Sequence, residues 1–242
     1  MQIGAQSLRS LPWVFVPGAS ADGSIELPQN ELDRLRKGLR LRSGDELAVL
    51  PNDGTLIRCR LEGREAVPEA SHTLETEARL RLAIAQALPK ADRLETAVRM
   101  CTEIGVAAFV VFPADRSVTK WEEKKRQERL RRLQLIAKEA AERSYRTRIP
   151  TLRWEPSLKS VLDSQGNAIV LSESEGVPVS LTEAAAGVFA AGNELTLIVG
   201  PEGGWSEKEC ELIGGRAASL GPRVLRTDTA GPAAAAILLL GR

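Results

Sequence analysis

The chain has 242 residues, of which 43% are hydrophobic, 27% charged and only 4% aromatic, and its net charge is +1. This length suits one large domain or two modest ones, with a core filled mainly by aliphatic side chains. Because the net charge is nearly zero, the chain is not basic overall, and any surface that binds nucleic acid must be local.

The first third of the chain carries short apolar runs separated by turn residues, which is typical of a small β-rich domain. Strands are predicted at residues 13–16, 46–50 and 55–61. The Asp53–Gly54 pair between the last two runs indicates a hairpin. Asn30 is expected to cap a short helix over residues 31–39.

The boundary between two domains is predicted near residue 75. Residues 67–72 are polar and irregular, so they are interpreted as the linker. The first domain is therefore expected to span residues 1–72 and the second residues 75–242.

Beyond this boundary, strands and helices alternate. Strands are predicted at residues 80–88, 106–112, 168–171 and 195–199, and helices at 91–104, 121–144, 181–188 and 230–240. The apolar run at 106–112 suits a strand that is covered on both faces. This alternation predicts an α/β domain whose mostly parallel sheet has helices on both faces.

Two glycine-containing loops follow strands near the end of the chain, at residues 200–206 and 220–227. Their glycines allow a ligand to approach the backbone closely. Ser206 and Glu209 have the spacing of a capping box, so a helix is predicted directly after the first loop. Since parallel sheets bind ligands at the carboxyl ends of their strands, both loops are predicted to form one site.

Two other interpretations of the first loop remain open at this point. The loop could be only a tight connection between a strand and a helix. It could also hold a phosphate at a helix N-terminus, although the Lys-Ser/Thr pair of a P-loop is missing and Glu202 would repel phosphate.

Several motifs together resemble one family. They are Gly-Pro-Glu-Gly-Gly-Trp-Ser at 200–206, Leu-Gly-Pro-Arg-Val-Leu-Arg-Thr-Asp-Thr-Ala at 220–230, Asp-Arg-Ser-Val at 115–118 and Arg-Thr-Arg-Ile-Pro at 146–150. In order and spacing they resemble the bacterial 16S ribosomal RNA (uracil-N3) methyltransferases, the RsmE-type members of the knotted SPOUT superfamily. The resemblance covers essentially the whole chain.

The resemblance implies a small PUA-like, RNA-binding β-barrel followed by a SPOUT-type methyltransferase domain with a trefoil knot. It also implies a homodimer and a 16S RNA substrate within the assembled small subunit. S-adenosylmethionine would be bound in the knot, mostly by backbone groups. The cofactor site is expected at Leu171, Val199, Gly200, Glu202, Gly203, Leu220, Gly221, Arg223, Leu225 and Thr227.

Methylation of uracil N3 requires that its proton leave and that the resulting anion be stabilised. Arg226 is expected to stabilise the anion, and Glu202 or Asp228 to accept the proton. The alternative for Arg223 and Arg226 is a simple ion pair with Asp228 or with a neighbouring carboxylate. RNA contacts are expected from Arg34, Lys37, Arg40, Arg93, Arg116, Lys120, Arg143 and Arg146. The middle of the mixed-charge helix after Trp121 is interpreted as a solvated face instead.

The chain departs from the family pattern at several positions. Trp13 stands where an arginine is usual, Arg34 replaces a histidine, and Tyr145 replaces a glycine. Gly231–Pro232 interrupts a helix start, where proline suits only the first turn. These changes put the RNA contacts in doubt. A related methyltransferase with another RNA target and a non-catalytic RNA-binding scaffold therefore remain as alternatives.

The cysteines and the apolar runs indicate the cellular compartment of the protein. Cys59, Cys101 and Cys210 are far apart and lack metal-ligand spacing, which predicts a reduced cytoplasmic protein with buried thiols and no metal. The first residues do not show a signal-peptide pattern. The run at 233–240 is too short to cross a bilayer.

Overall fold

The computed structural model describes residues 8–90, 92–173 and 179–240, with the side chains of 189–191 left aside. The start of the chain, where no signal-peptide pattern was found, lies outside the described residues. Two compact units are present. The first comprises the described residues up to Glu77 together with Ala141–Ile149, and the second comprises Ala78–Ala140 and the described residues from Pro150 onward.

The first unit is built on a five-stranded mixed sheet with the order β1-β3-β4-β5-β2. Its strands are β1 (Trp13–Phe15), β2 (Ile25–Glu26), β3 (Glu46–Leu50), β4 (Thr55–Glu62) and β5 (Glu65–Thr73). Strand β3 pairs with β1 in parallel and with β4 in an antiparallel hairpin, as the Asp53–Gly54 turn predicted. Successive side chains of β3 point to opposite faces and fill two separate hydrophobic cores.

Two predictions for this unit are wrong. Residues 67–72 are not a linker but part of β5, which pairs with β4 along its length. The short helix α1 (Gln29–Asp33) begins after Pro28 without a side-chain cap, so Asn30 does not cap it, and one π-helical turn, Arg34–Gly38, continues it.

Residues 141–149 belong to the first unit because Glu77 fixes them there. The Glu77 carboxylate pairs with the Arg146 guanidinium at 2.5 Å and accepts hydrogen bonds from the backbone N–H groups of Thr147 and Arg148. The Ile149 N–H also donates to the Asn52 side chain at 2.7 Å. Sequence analysis placed this segment with the second domain because these contacts connect residues about seventy or more positions apart.

The second unit is built on a six-stranded sheet with the order β11-β9-β10-β6-β7-β8, in which every pair of neighbours is parallel. Its strands are β6 (Arg81–Ala87), β7 (Ala108–Phe112), β8 (Thr151–Trp154), β9 (Ala168–Leu171), β10 (Glu194–Val199) and β11 (Ala217–Ala218). Its helices are α2 (Arg93–Ile104), α3 (Glu123–Arg143), α4 (Leu158–Ser164), α5 (Leu181–Ala191), α6 (Glu207–Ile213) and α7 (Thr227–Leu239).

Helices cover both faces of this sheet, as predicted. Alternate strand residues pack on one face against α2, α3, α5 and α7, and on the other face against α4 and α6. The predicted end of α2 is confirmed, since Gly105 adopts a left-handed φ of 115° and terminates the helix.

The sequence missed β8 and α4, and it placed the start of α7 too late. Helix α7 begins at Thr227 rather than at residue 230, so Pro232 lies inside the helix and beyond its first turn. In the described part of the chain, no helix combines the length and apolar character that crossing a membrane requires.

Candidate active site

A cleft of about 540 Å³ lies in the second unit, where β9 and β10 end and the loop after β11 begins. All the residues predicted to bind the cofactor line it, namely Leu171, Val199, Gly200, Glu202, Gly203, Leu220, Gly221, Arg223, Leu225 and Thr227. Arg226 also lines the cleft. The structure thus brings the two glycine loops together at the carboxyl edge of the sheet.

The first loop, residues 200–206, leaves no room for side chains at two of its glycines. A Cβ on Gly200 would meet the Trp205 ring at 3.1 Å. A Cβ on Gly203 would meet the Arg116 Cβ at 3.0 Å and the Arg116 backbone oxygen at 3.3 Å. Gly204 turns the chain at a φ of +67°. The bare backbone of this loop is therefore enforced by its neighbours.

Trp205 anchors the same loop to the sheet. Its indole N–H donates to the carbonyl of Leu171 at 3.2 Å, and its ring stacks on Phe112 with centroids 6.5 Å apart. Directly after it, Ser206 and Glu209 form the predicted capping box at the start of α6. Ser206 also donates to the Asp115 carboxylate at 2.6 Å, so the loop after β7 holds the glycine loop in place.

The second loop, residues 219–227, enters the cleft because β11 pairs with β9, placing Ala218 opposite Leu171. Gly221 adopts a φ of +110°, and its N–H donates to the Ser219 hydroxyl at 3.1 Å. The loop ends at Thr227, where α7 begins. Both walls of the cleft are consequently set by neighbouring parallel strands.

The cleft fits the cofactor that the resemblance implies. Its volume lies in the ordinary range for small-molecule sites. The Thr227 hydroxyl is buried and has no hydrogen-bond partner within the described residues. A buried hydroxyl without a partner is costly, so it favours a ligand that supplies one. Backbone groups exposed by the glycines can serve the polar atoms of an adenosine and an amino acid.

One carboxylate oxygen of Glu202, Oε1, is held by two donors. It accepts the Lys90 backbone N–H at 3.0 Å and pairs with Arg93 at 2.6 Å. Partial burial raises the pKa of this carboxyl, but the backbone hydrogen bonds and the Arg93 charge outweigh it, so the pKa lies below the ordinary value. A carboxylate with a lowered pKa is a weaker base. The geometry therefore gives Glu202 the role of connecting the glycine loop to the start of α2.

Arg226 and Asp228 lie side by side at the start of α7. The Arg226 Nε donates to the Asp228 carboxylate at 3.3 Å, which is the ion pair considered as the simpler alternative. The Arg226 side chain is still two-thirds exposed, with 66% of its surface accessible. Its other N–H groups are thus able to reach a substrate at the mouth of the cleft.

The cations of the second unit that were predicted to contact RNA have different environments. Arg93 and Arg116 line the cleft itself, where Arg93 pairs with Glu202 and Arg116 donates to the Gly203 carbonyl at 3.2 Å. Lys120 is exposed.

In the first unit, the structure contradicts the prediction that Arg146 contacts RNA. Its side chain is only 4% exposed and is held by Glu77, so it cannot present its charge to RNA. Arg34 pairs with Glu31 and Glu142, and Lys37 pairs with Asp33. Arg40 and Arg143 are exposed and remain available.

Sequence analysis missed several residues of the cleft. They are Ser172, Glu173, Pro201, Gly204, Trp205, Ser219, Val224 and Ala230. Trp205 and Gly204 lie within the quoted motif, which is the signal that could have identified them. Ser172, Glu173 and Ser219 carry no such signal, because only the pairing of β9 with β11 brings them to the site.

Two of the three cysteines are buried, as expected, and burial raises the pKa of Cys59 and of Cys101 to about 12. Cys210 contradicts the expectation, because it lies on the exposed side of α6. No cluster of His, Cys, Asp and Glu suited to a metal ion occurs among the described residues.

Comparison with known proteins gives concordant results. Residues 76–239 match the model of an RNA methyltransferase domain. The chain is 32% identical over 220 residues to the ribosomal RNA small subunit methyltransferase E of Bacillus subtilis, covering 86% of each chain. It is 31% identical over 229 residues to the Synechocystis protein of the same name, covering 90% of this chain and 73% of that one. The ribosomal RNA small subunit methyltransferase E of Neisseria gonorrhoeae, solved with S-adenosylmethionine, superposes with a TM-score of 0.81 at 26% identity, covering 94% and 96% of the chains.

Proposed function

The chain belongs to the ribosomal RNA small subunit methyltransferase E family and is an S-adenosylmethionine-dependent ribosomal RNA methyltransferase, and we propose that it methylates N3 of one uridine in 16S ribosomal RNA. The observation that carries this proposal is the cleft of the second unit. There the glycine loops and the exposed Arg226 side chain meet the Thr227 hydroxyl, which has no hydrogen-bond partner in the described part of the chain.

The cofactor would be held by the backbone of both loops and by Thr227, within the cleft described above. When bound, S-adenosylmethionine supplies an electrophilic methyl group. Adenosine-sized ligands need close backbone approach, which Gly200 and Gly203 permit. The Arg93–Glu202 pair positions the first loop rather than taking part in the chemistry.

The chain's own residues must then activate uracil. N3 carries a proton at neutral pH, so a base must remove it, and donors must stabilise the charge that develops on the two uracil oxygens. Asp228 is the proposed proton acceptor, since Glu202 is occupied by two donors and has a lowered pKa. Arg226 is the proposed donor to the uracil oxygens, and its contact with Asp228 keeps the two groups together.

We further propose that the second unit contains the trefoil knot of its family. The path of the chain supports this. It leaves β10, forms β11 on the far side of β9, and returns as α7 over the middle of the sheet. There a Cβ on Gly231 would contact side-chain atoms of Cys101, Val199 and Ile84 at 3.7–3.8 Å. Likewise, the mixed sheet of the first unit is proposed to be a PUA-like, RNA-binding barrel.

A homodimer is also proposed. Helix α7 is apolar on nearly every side. Nevertheless, Ile237 within the helix is 45% exposed, and Leu240, directly after the end of the helix, is 66% exposed. A second copy of the chain would cover these side chains, as the family's dimers imply. The substrate is proposed to be the assembled small subunit in the cytoplasm, contacted by exposed cations of the first unit such as Arg40 and Arg143.

The decisive experiment is mass mapping of 16S RNA from cells with and without the gene for this chain. One N3-methyluridine should disappear in its absence and return with the wild-type chain, but not with an Arg226→Ala variant. Calorimetry should show that the purified protein binds S-adenosylmethionine but not nucleoside triphosphates. A complete set of methylated uridines in the deletion strain would refute the proposed target. A chain that binds RNA and cofactor without turnover would be a scaffold instead.

A further inference from the structure

The second unit carries an aromatic and cationic cluster whose indole rings pack against the hydrophobic core, but whose guanidinium groups neither that core nor the cofactor cleft explains. Trp121 and Trp154 stack with ring centroids 5.7 Å apart and planes 20° from parallel. The Arg126 guanidinium lies over the Trp154 ring at 5.0 Å, and the Arg129 guanidinium over the Trp121 ring at 5.4 Å. These four residues are called the tryptophan–arginine cluster below.

The cluster lies on the same edge of the sheet as the cleft. Trp154 is the last residue of β8 and stands opposite Val111 near the end of the neighbouring β7. The chain that leaves β7 passes Arg116, which lines the cleft, and reaches Trp121 only five residues later. Five extended residues span at most about 18 Å. Lys120 is exposed between them and adds one positive charge to this part of the surface.

The charges of the cluster are only partly neutralised. Arg126 pairs with Glu123, which lies one turn earlier on α3. Arg129 is exposed, and within the described part of the chain it has no carboxylate partner. Both tryptophans are half-buried, so each keeps an accessible part. An edge strand could be covered by aliphatic side chains alone, and that function does not require a free guanidinium over an indole.

Stacked aromatic rings beside guanidinium groups match the chemistry of unpaired nucleotides. Bases stack on aromatic rings and on arginine planes, while the same arginines bind phosphates. A target uridine with a free N3 must itself be unpaired or removed from its stack, so the nucleotides beside it are accessible as single strand. Because Arg116 and Trp121 are at most about 18 Å apart, a few nucleotides of such RNA could reach from one to the other.

Building on the proposed function, we propose that the tryptophan–arginine cluster binds the single-stranded RNA that flanks the target uridine. One flanking base stacks on the exposed part of the cluster, and Arg129 contacts its phosphate. The cluster therefore selects RNA whose target site continues as an unpaired segment, and it contributes to affinity for RNA rather than for the cofactor.

The test compares Arg129→Gln with Arg131→Gln. Both residues are exposed arginines of α3 without an ion pair in the described residues, and of the two only Arg129 lies over a tryptophan ring there. Binding of small subunits and of a single-stranded 16S fragment is measured at several salt concentrations, together with the melting temperature and calorimetric affinity for S-adenosylmethionine. Arg129→Gln should weaken RNA binding about five- to tenfold and reduce the slope of log Kd against log salt by about one. Arg131→Gln should change Kd less than twofold.

Equal losses in the two variants, or no loss in Arg129→Gln, would overturn the inference. A second variant, Trp121→Leu, keeps an apolar side chain and removes the stacking surface. It should weaken RNA binding in the same direction with unchanged cofactor affinity. Should Trp121→Leu fail to fold, the arginine pair still decides. If the wild-type protein binds the cofactor but methylates no uridine, the proposed function fails. If the wild-type protein methylates a uridine but Arg129→Gln and Arg131→Gln bind RNA equally well, only the role of the cluster is refuted.

Discussion

The substitution Glu202→Gln tests whether Glu202 positions the glycine loop or acts as the base that removes the uracil proton. Glutamine keeps the shape of the side chain and an oxygen that can accept the Lys90 N–H, but it removes the charge that holds Arg93. It also cannot accept a proton from uracil. The two roles therefore predict different results for the same variant.

The size of the effect follows from the surroundings of the pair. The Glu202 and Arg93 side chains are 20% and 29% exposed, so water screens their interaction only in part. Hydrogen bonds to charged groups contribute about 1.5–3 kcal/mol. After allowance for the bonds that glutamine retains, we expect a loss of about 1–2 kcal/mol in the free energy of unfolding. For a protein of this size that lowers the melting temperature by about 2–8 °C.

If Glu202 only positions the loop, the looser loop of the variant should raise the KM for S-adenosylmethionine several-fold. The kcat should fall less than tenfold, and the pH profile of kcat should keep its shape. Loss of a general base would instead lower kcat by about 10²- to 10⁴-fold. Steady-state kinetics with small subunits as substrate and thermal unfolding measure both quantities. The control is Asp228→Asn, which should show the large loss in kcat. A loss above a hundredfold in Glu202→Gln, with unchanged melting temperature and cofactor affinity, would refute our reasoning.

Three further predictions follow from the site. Thr227→Val removes a buried hydroxyl that has no partner among the described residues, so the free protein should be as stable as wild type or up to about 1 kcal/mol more stable. Its calorimetric affinity for S-adenosylmethionine should fall about three- to tenfold. Gly203→Ala places a Cβ within 3.3 Å of a backbone oxygen and should cost about 1–3 kcal/mol and most cofactor binding, whereas Gly215→Ala, with no atom within 4 Å, should leave calorimetric affinity unchanged. The pKa of Glu202 is lowered from 4.5 on folding, so its stabilising contribution is complete above that value and is lost as the pH falls through the lowered one. Acid titration of the melting temperature should accordingly show a steeper loss for wild type than for Glu202→Gln.

Much of the second unit could be predicted because its signals are local. The buried strands are continuous apolar runs, Gly105 ends a helix, and the Ser206–Glu209 spacing forms the capping box that the structure contains. By contrast, β8 has four residues with only alternate positions half-buried, and α4 has seven. Elements this short carry too few residues for a periodic pattern to stand out.

Long-range contacts explain what the sequence could not provide. Nothing near Glu77 indicates that its carboxylate will bind residues 146–148, so the sequence assigned that segment to the wrong unit and counted Arg146 as an RNA contact. Residues 67–72 have no apolar run because β5 is only partly buried there, with half-buried and exposed positions. The sequence was therefore interpreted as an irregular linker. The loop residues lining the cleft were predictable because both loops follow parallel strands, carry glycines and contain the quoted family motifs.

The departures from the family pattern are connected in the first unit. Trp13 is buried and packs edge-to-face on Tyr145, with ring centroids 5.2 Å apart. The Arg9 guanidinium lies over the Tyr145 ring. Tyr145 adopts a left-handed φ of 57°, where glycine is unstrained and a side chain costs about 1–2 kcal/mol. An edge-to-face pair contributes about 0.5–1.5 kcal/mol beyond burial, which largely offsets that cost.

Arg34, the third departure, completes the same arrangement. It donates to the Trp13 carbonyl at 3.1 Å and pairs with Glu142, whose carboxylate also accepts the Phe15 N–H at 3.3 Å. A tyrosine at position 145 without the tryptophan at 13 would keep its backbone strain and lose its partner. We therefore interpret Trp13, Arg34 and Tyr145 as one coupled set of packing contacts in this chain. If the first unit binds RNA as proposed, exposed cations such as Arg40 are better placed to contact it than Arg34, which these packing contacts occupy.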